Sequence, residues 1–141
     1  MTVIGCCSMY ANPLGPHHVA YLEDAKSRCD TLIVILNNDE QAVQKHGRTF
    51  MTVDERLAVV RSLWCVDFVV VSMDKDRSVC ETLKWLRPHK FFNGGDQKSD
   101  SIPEAAVCAQ LSIELVDHVG GDAKVNSSSW ILKRYVDSFN V

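Results

Sequence analysis

Short runs rich in β-branched residues alternate with helical stripes along the whole chain. Val3–Ser8 is a short apolar run that reads as a strand. Pro16–Lys26 follows, with Val19, Leu22 and Ala25 on one helical stripe. Pro16 suits the first helical turn, where its missing N–H costs nothing. Thr31–Leu36 (TLIVIL) is continuously apolar, the pattern of a strand buried on both faces. Asn37–Thr49 is polar and is expected to be a loop. Thr52-x-x-Glu55 then forms a capping box ahead of a helix carrying Leu57, Val60, Leu63 and Trp64.

The second half repeats the alternation. Asp67–Ser72 reads as a strand and Arg77–Leu86 as a helix with Val79, Leu83 and Leu86 inward. Lys90–Asn93 reads as a short strand ending at Gly94–Gly95. Ser101-x-x-Glu104 opens a helix to about Leu111, Ile113–Val119 is the fifth strand, and Ser127 caps a last helix to about Val136. The order β-α-β-α-β-α-β-α-β-α implies a parallel sheet with helices on both faces and right-handed crossovers. One domain over residues 1–141 accommodates all of it, with no repeat, linker or low-complexity stretch.

Composition narrows this picture only slightly. Hydrophobic residues make up 46% and charged residues 23% of 141, near the globular average, which disfavours disorder and coiled coil. No apolar run approaches the ~20 residues of a membrane span. The start MTVIGCCSMYANP lacks a basic segment and a long apolar core, so it does not read as a signal peptide. The net charge of −3 disfavours a protein that coats nucleic acid but not a local basic pocket. The six cysteines lie in or beside apolar runs without Cys-x-x-Cys or zinc-finger spacing, and are expected to be reduced packing thiols of a cytoplasmic protein. If Cys6 and Cys7 lie on a strand, their side chains face opposite ways.

An open parallel sheet binds ligands beyond the carboxyl ends of its strands, where strand order reverses. With the order 3-2-1-4-5, that crevice receives Met9–His18, including Tyr10, Ala11 and Asn12, and Asn93–Asp96. The last helix opens toward the same edge with Ser127, Ser128 and Ser129. The chemistry these segments share is anion handling, because a helix N-terminus offers unpaired N–H groups and partial positive charge. His17 and His18 are either donors to a polyphosphate or a solvated helix start. A metal site built on them lacks a carboxylate at helical spacing. Gly94–Gly95 either admits a nucleotide close to the backbone or makes a tight turn. The serines bind phosphate or simply cap a helix. Lys45 and Arg48 close over an anion or sit in a solvated loop. Arg56 is a phosphate ligand or an exposed ion-pair partner.

Taken together and in order, these segments resemble the cytidylyltransferase-like nucleotidyltransferases, from about Val3 to Arg134. Asn12-Pro13-Leu14-Gly15-Pro16-His17-His18 stands where that family has a His-x-Gly-His element. Lys45 matches its mobile-loop lysine, Glu55-Arg56 a Glu-Arg pair, Gly94-Gly95-Asp96 a Gly-Gly-Asp element, and Ser127-Ser128-Ser129-x-Ile131 its closing serine element. The resemblance implies a Rossmann-like doubly wound sheet. It implies transfer of a nucleoside monophosphate (CMP or AMP) from a nucleoside triphosphate to a small phosphorylated acceptor, with Mg²⁺, no covalent intermediate, and commonly a homodimer. In that reading His18 and Lys45 act on the phosphates, with His17 beside them. Tyr10, Ala11, Asn12, Gly94, Gly95, Asp96, Arg56 and the serines bind the nucleotide. Neither nucleic acid nor a membrane is an expected partner. The chain departs from the pattern at Gly15, which stands where the first histidine is expected, and at His17, which takes the place of the glycine. It follows that either His17 substitutes or the protein binds nucleotide without turning it over.

Overall fold

The computed structural model describes residues 1–94, 102–121 and 128–139. Five strands form one all-parallel sheet in the order β3-β2-β1-β4-β5. The elements are β1 (Ile4–Met9), α1 (Pro16–Ser27), β2 (Thr31–Leu36), α2 (Asp39–His46), α3 (Val53–Val60), β3 (Phe68–Val71), α4 (Cys80–Leu86), β4 (Lys90–Gly94), α5 (Glu104–Gln110), β5 (Glu114–Val119) and α6 (Ser128–Asp137). The doubly wound α/β architecture and strand order match the expectation. Among the described residues, no helix is long and apolar enough to cross a membrane.

Strand alternation divides the core between the two sheet faces. Cys7, Leu32, Val34 and Leu36 pack with Leu22 and Ala25 of α1 and Val60 of α3. Cys6 and Ile35 pack on the other face with Leu83 of α4 and Val107 and Cys108 of α5. Adjacent cysteines therefore serve opposite cores, as β1 requires. All six thiols are free. Burial pushes the Cys6 and Cys7 thiols well up and the Cys108 thiol up to about 11, which suits packing rather than reactivity. Gly5 of β1 has no side chain because the Phe92 ring of β4 occupies the space a Cβ would need.

Three local expectations are corrected. The polar segment after β2 contains α2, capped by Asn38, whose side chain accepts from Gln41 N at 2.9 Å, and ended by Gly47 at φ 82°. Its inward surface is only Gln41 and Ala42, too little for an apolar stripe to betray. The helix after β3 begins at Cys80 instead of Arg77, because Asp76 and Ser78 form a side-chain turn first. The Thr52–Glu55 box is present as expected, but α3 ends at Val60, and Trp64 beyond it is 75% exposed. Ser101 lies outside the described residues. Glu104 accepts from Val79 N at 2.9 Å.

Candidate functional site

A cavity of about 920 Å³ opens beyond the carboxyl ends of β1 and β4, where the strand order reverses. Of the residues expected there, Tyr10, His17, His18, Lys45, Gly94, Ser128 and Ser129 all line it. They come from five separate elements or loops, so the fold brings together what the sequence keeps far apart.

One side of the cavity is built from the starts of α1 and α6. Gly15 precedes α1 in extended backbone, with Pro16 at the first helical position. The Gly15 N–H donates to His18 Nδ1 at 2.8 Å, which places the proton of a neutral imidazole on Nε2. The His17 ring lies against His18 with centroids 3.8 Å apart. The first turns of both α1 and α6 lack an acidic residue, so no carboxylate within those turns offsets the positive ends of their dipoles. The Ser128 hydroxyl donates to Pro13 O at 2.7 Å, tying α6 to the loop after β1. A Cβ on Gly15 would lie 3.0 Å from Ile131 Cδ1, so the bare glycine lets α6 approach this loop.

Two further ties hold this side in place. The Tyr21 hydroxyl donates to Phe92 O at 2.5 Å, joining α1 to β4. Gly120, on the cavity wall after β5, donates its N–H to Asp24 Oδ2 at 2.7 Å. Its φ is +86°, and an added Cβ would meet Tyr21 Cα at 2.9 Å, so conformation and space both demand glycine. Arg28 beside Asp24 holds that carboxyl below the usual range against the opposing effect of burial, with help from the Gly120 N–H.

The other side is basic. Lys45 Nζ sits 4.3 Å from the centroid of the Tyr10 ring, a cation–π contact, and His46 meets the same ring edge-on at 6.3 Å. Burial raises the Tyr10 hydroxyl pKa, opposed by the Arg77 guanidinium. Burial also lowers His46 below the usual histidine value, and the charges of Lys45 and Arg77 push the same way. His46 and Arg77 line the cavity and were not singled out from sequence. The Asn38-x-x-Gln41 capping pattern was the available signal for α2, and hence for His46 beside Lys45.

Three expected nucleotide contacts lie elsewhere. Arg56 is fully buried, and its guanidinium is occupied by the chain itself: Nε donates to Met51 O at 3.1 Å, Nη1 to Tyr10 O at 2.8 Å and Asn37 O at 2.7 Å, and Nη2 to Asp39 Oδ1 at 2.9 Å. It is neither an exposed ion-pair partner nor a phosphate ligand but a clamp joining β1, β2 and α3. Ala11 is buried at φ 49° and turns the chain off β1. Asn12 is buried as well. It donates to Thr49 Oγ1 at 3.1 Å and accepts from Met51 N at 2.8 Å, so its amide organises the loop ahead of α3. Neither faces the cavity. Gly95, Asp96 and Ser127 lie outside the described residues.

Among the described residues, no group of three or more His, Cys, Asp or Glu could hold a metal ion. Among the described residues, the two carboxylates on the cavity wall bind backbone amides: Asp76 Oδ1 accepts from Ser78 N at 2.9 Å and Glu104 Oε2 from Val79 N at 2.9 Å. The described part of the cavity wall thus offers the basic side chains of His17, His18, Lys45, His46 and Arg77 to an anion.

A family model described as Cytidylyltransferase-like matches residues 11–134. A bifunctional protein HldE from Geobacter sulfurreducens is 34% identical over 122 residues, covering 84% of this chain and 24% of that protein. Another, from Aliarcobacter butzleri, is 32% identical over 112 residues, covering 78% and 23%. The chain therefore spans about a quarter of the length of these curated relatives. The crystal structure of a lipopolysaccharide core biosynthesis protein from Thermoplasma volcanium superposes with a TM-score of 0.72 at 20% identity, over 84% of this chain and 97% of that one. At that identity the likeness speaks to the fold.

Proposed function

The chain belongs to the cytidylyltransferase-like family, and on that premise we propose that it is a nucleotidyltransferase. A phosphate oxygen of a small phosphorylated acceptor attacks the α-phosphorus of a nucleoside triphosphate. The bond from that phosphorus to the α–β bridging oxygen breaks, and pyrophosphate leaves with the negative charge. The observation that carries the reading is the Gly15–His18 hydrogen bond. It leaves Nε2 as the donor of a histidine that lines a cavity flanked by two helix N-termini. A preset donor of this kind stabilises charge that develops on a phosphate during transfer.

The remaining roles follow from position. The N-termini of α1 and α6, with Ser128 and Ser129, bind the polyphosphate. Lys45 neutralises it from the Tyr10 side. Gly94 lines the base and ribose pocket. Mg²⁺ would enter with the triphosphate as part of the substrate and supply charge neutralisation there. No nucleophilic side chain is needed, since positioning and charge neutralisation carry the reaction.

The test is pyrophosphate release from ATP and CTP against a panel of sugar and polyol phosphates, with nucleotide binding measured separately by calorimetry. Turnover with one pair supports the proposal. A protein that binds no nucleotide at millimolar concentration overturns it. Saturable binding without turnover across the panel supports the second reading, a nucleotide-binding relative without catalysis. Gly15 favours that second reading, because it stands where the family pattern has a histidine.

A further inference from the structure

The loop between β3 and α4 is fastened to α2 in a way that concerns one residue above all. Gln41 of α2 is fully buried, and its Nε2 donates both to Asp76 O at 2.6 Å and to Ser78 O at 2.8 Å, the carbonyls on either side of Arg77. Its Oε1 accepts from Asn38 N at 3.0 Å and from Asn37 Nδ2 at 3.2 Å, so the amide itself cannot swing. Gln44 of the same helix donates to Lys75 O at 2.6 Å. Asp76 Oδ1 accepts from the Ser78 hydroxyl at 2.7 Å and closes the turn. The backbone of Arg77 is therefore rigidly mounted on α2, whose last turn carries Lys45 and His46.

Arg77, Lys45 and His46 all line the cavity. Holding basic groups on one wall opposes their mutual repulsion; the His46 pKa is depressed first by burial and only then by the charges of Lys45 and Arg77. Arg77 is exposed and forms no salt bridge with a carboxylate among the described residues. The carboxylates on its wall, Asp76 and Glu104, are turned to Ser78 and Val79 instead. A costly basic cluster at a cavity wall is offset when an anion fills it, and a guanidinium presents a fork that matches two phosphate oxygens. Arg77 also arrives from the α4 side of the sheet, whereas His17 and His18 arrive from the α1 side.

We infer that Arg77 is a specificity-determining residue that binds the phosphate of the acceptor, selecting a phosphomonoester dianion over a neutral sugar or polyol. The inference rests on the nucleotidyltransferase reading, in which the α1 and α6 end holds the nucleotide. A dianionic nucleophile must approach an anionic triphosphate, so positive charge beyond that used by the nucleotide is required on the acceptor side.

Titration with inorganic phosphate, followed by NMR and calorimetry, tests this on the free protein and on protein saturated with the α,β-methylene analogue of ATP or CTP. Wild type, Arg77→Gln and Arg77→Lys are compared, and thermal melts check that each is folded. Arg77→Gln should weaken phosphate binding by about 10- to 100-fold, the worth of a charged hydrogen-bond pair. Arg77→Lys, which keeps the charge but loses the fork, should fall between. The analogue's affinity should change less than about twofold, well under the ~1.4 kcal/mol of a tenfold step. Equal phosphate binding in wild type and Arg77→Gln overturns the inference, as does an equal loss of phosphate and nucleotide affinity. If neither analogue binds but phosphate binding to the free protein depends on Arg77, the nucleotide reading falls and the anion subsite stands. If phosphate binding depends on Arg77 under neither condition, the subsite falls.

Discussion

The Gly15 N–H and His18 Nδ1 share a 2.8 Å hydrogen bond within the first turn of α1, so one face of the imidazole serves structure and the other chemistry. The two uses can be separated by substitution. Asn at position 18 can still accept from Gly15 but offers nothing at the position of Nε2, whereas Ala loses both. Both variants should release pyrophosphate about 10²–10³-fold more slowly. Only His18→Ala should also lose roughly 1 kcal/mol of stability, from the missing cap. Chemical denaturation beside the pyrophosphate assay reads both. Full turnover in His18→Asn would refute the donor role.

His17 stacks on His18 at 3.8 Å and lines the same cavity. If it stands in for the histidine that Gly15 lacks, His17→Ala should slow turnover at least about tenfold, as the loss of a charge-stabilising donor does. An unchanged rate would mean that His18 and the helix ends suffice. Restoring a histidine at position 15 is not the converse experiment, because Ile131 of α6 lies against that site.

Arg56 and Asp39 form an ion pair with unequal partners: the Arg56 side chain is fully buried and that of Asp39 is 42% exposed. The two truncations should therefore differ. Asp39→Ala gives up a partly screened attraction worth up to about 1 kcal/mol. Arg56→Met strands the carbonyls of Tyr10, Asn37 and Met51 without donors and should cost about 3–5 kcal/mol. Calorimetric melting should then fall by roughly 10–20 °C. A small shift in Arg56→Met would mean that water takes over these carbonyls.

His46 links ligand binding to pH. Its folded-state pKa lies below the unfolded value, chiefly through burial and then through Lys45 and Arg77. The folded protein thus holds fewer protons than the unfolded chain just below about pH 6.5. This group's contribution to stability is complete above that value and is lost as pH falls through the depressed pKa. An anion that neutralises Lys45 and Arg77 raises the His46 pKa, so binding near pH 6 should take up protons. Calorimetry in two buffers of different ionisation enthalpy measures the uptake, and His46→Gln should diminish it. Equal uptake in the variant would place the linkage elsewhere.

The alternation of strands and helices, the two-faced core and the Thr52–Glu55 cap were legible because strands and amphipathic helices repeat with fixed periods, whereas the strand order was an assumption that the sheet bears out. TLIVIL has the pattern of a strand buried on both faces, and β2 is an inner strand of the sheet. The lysine and the histidine pair were legible as members of an ordered motif series. Arg56 was not, because a sequence shows an arginine in a first helical turn but not the three carbonyls that converge on it from distant segments. Arg77 was missed for a related reason. Its importance lies in the Gln41 amide that grips the loop on both sides, a contact between residues 35 and 37 positions apart.

The last helix gives the site a further property. No side chain of α6 is fully buried, and Trp130, Tyr135 and Phe139 are more than half exposed. Its described ties to the rest of the fold include the Ser128–Pro13 hydrogen bond and the approach of Ile131 to Gly15. Detaching so lightly packed an element costs little, so its amides should exchange with solvent at rates set by local opening instead of global unfolding. A nucleotide that touches Ser128 and Ser129 must first find α6 in place, and its measured affinity is reduced by the fraction of molecules in which the helix is undocked. Hydrogen exchange along Ser128–Asp137 should slow when nucleotide is added. The affinity of this site is then partly a measurement of how firmly its own last helix is seated.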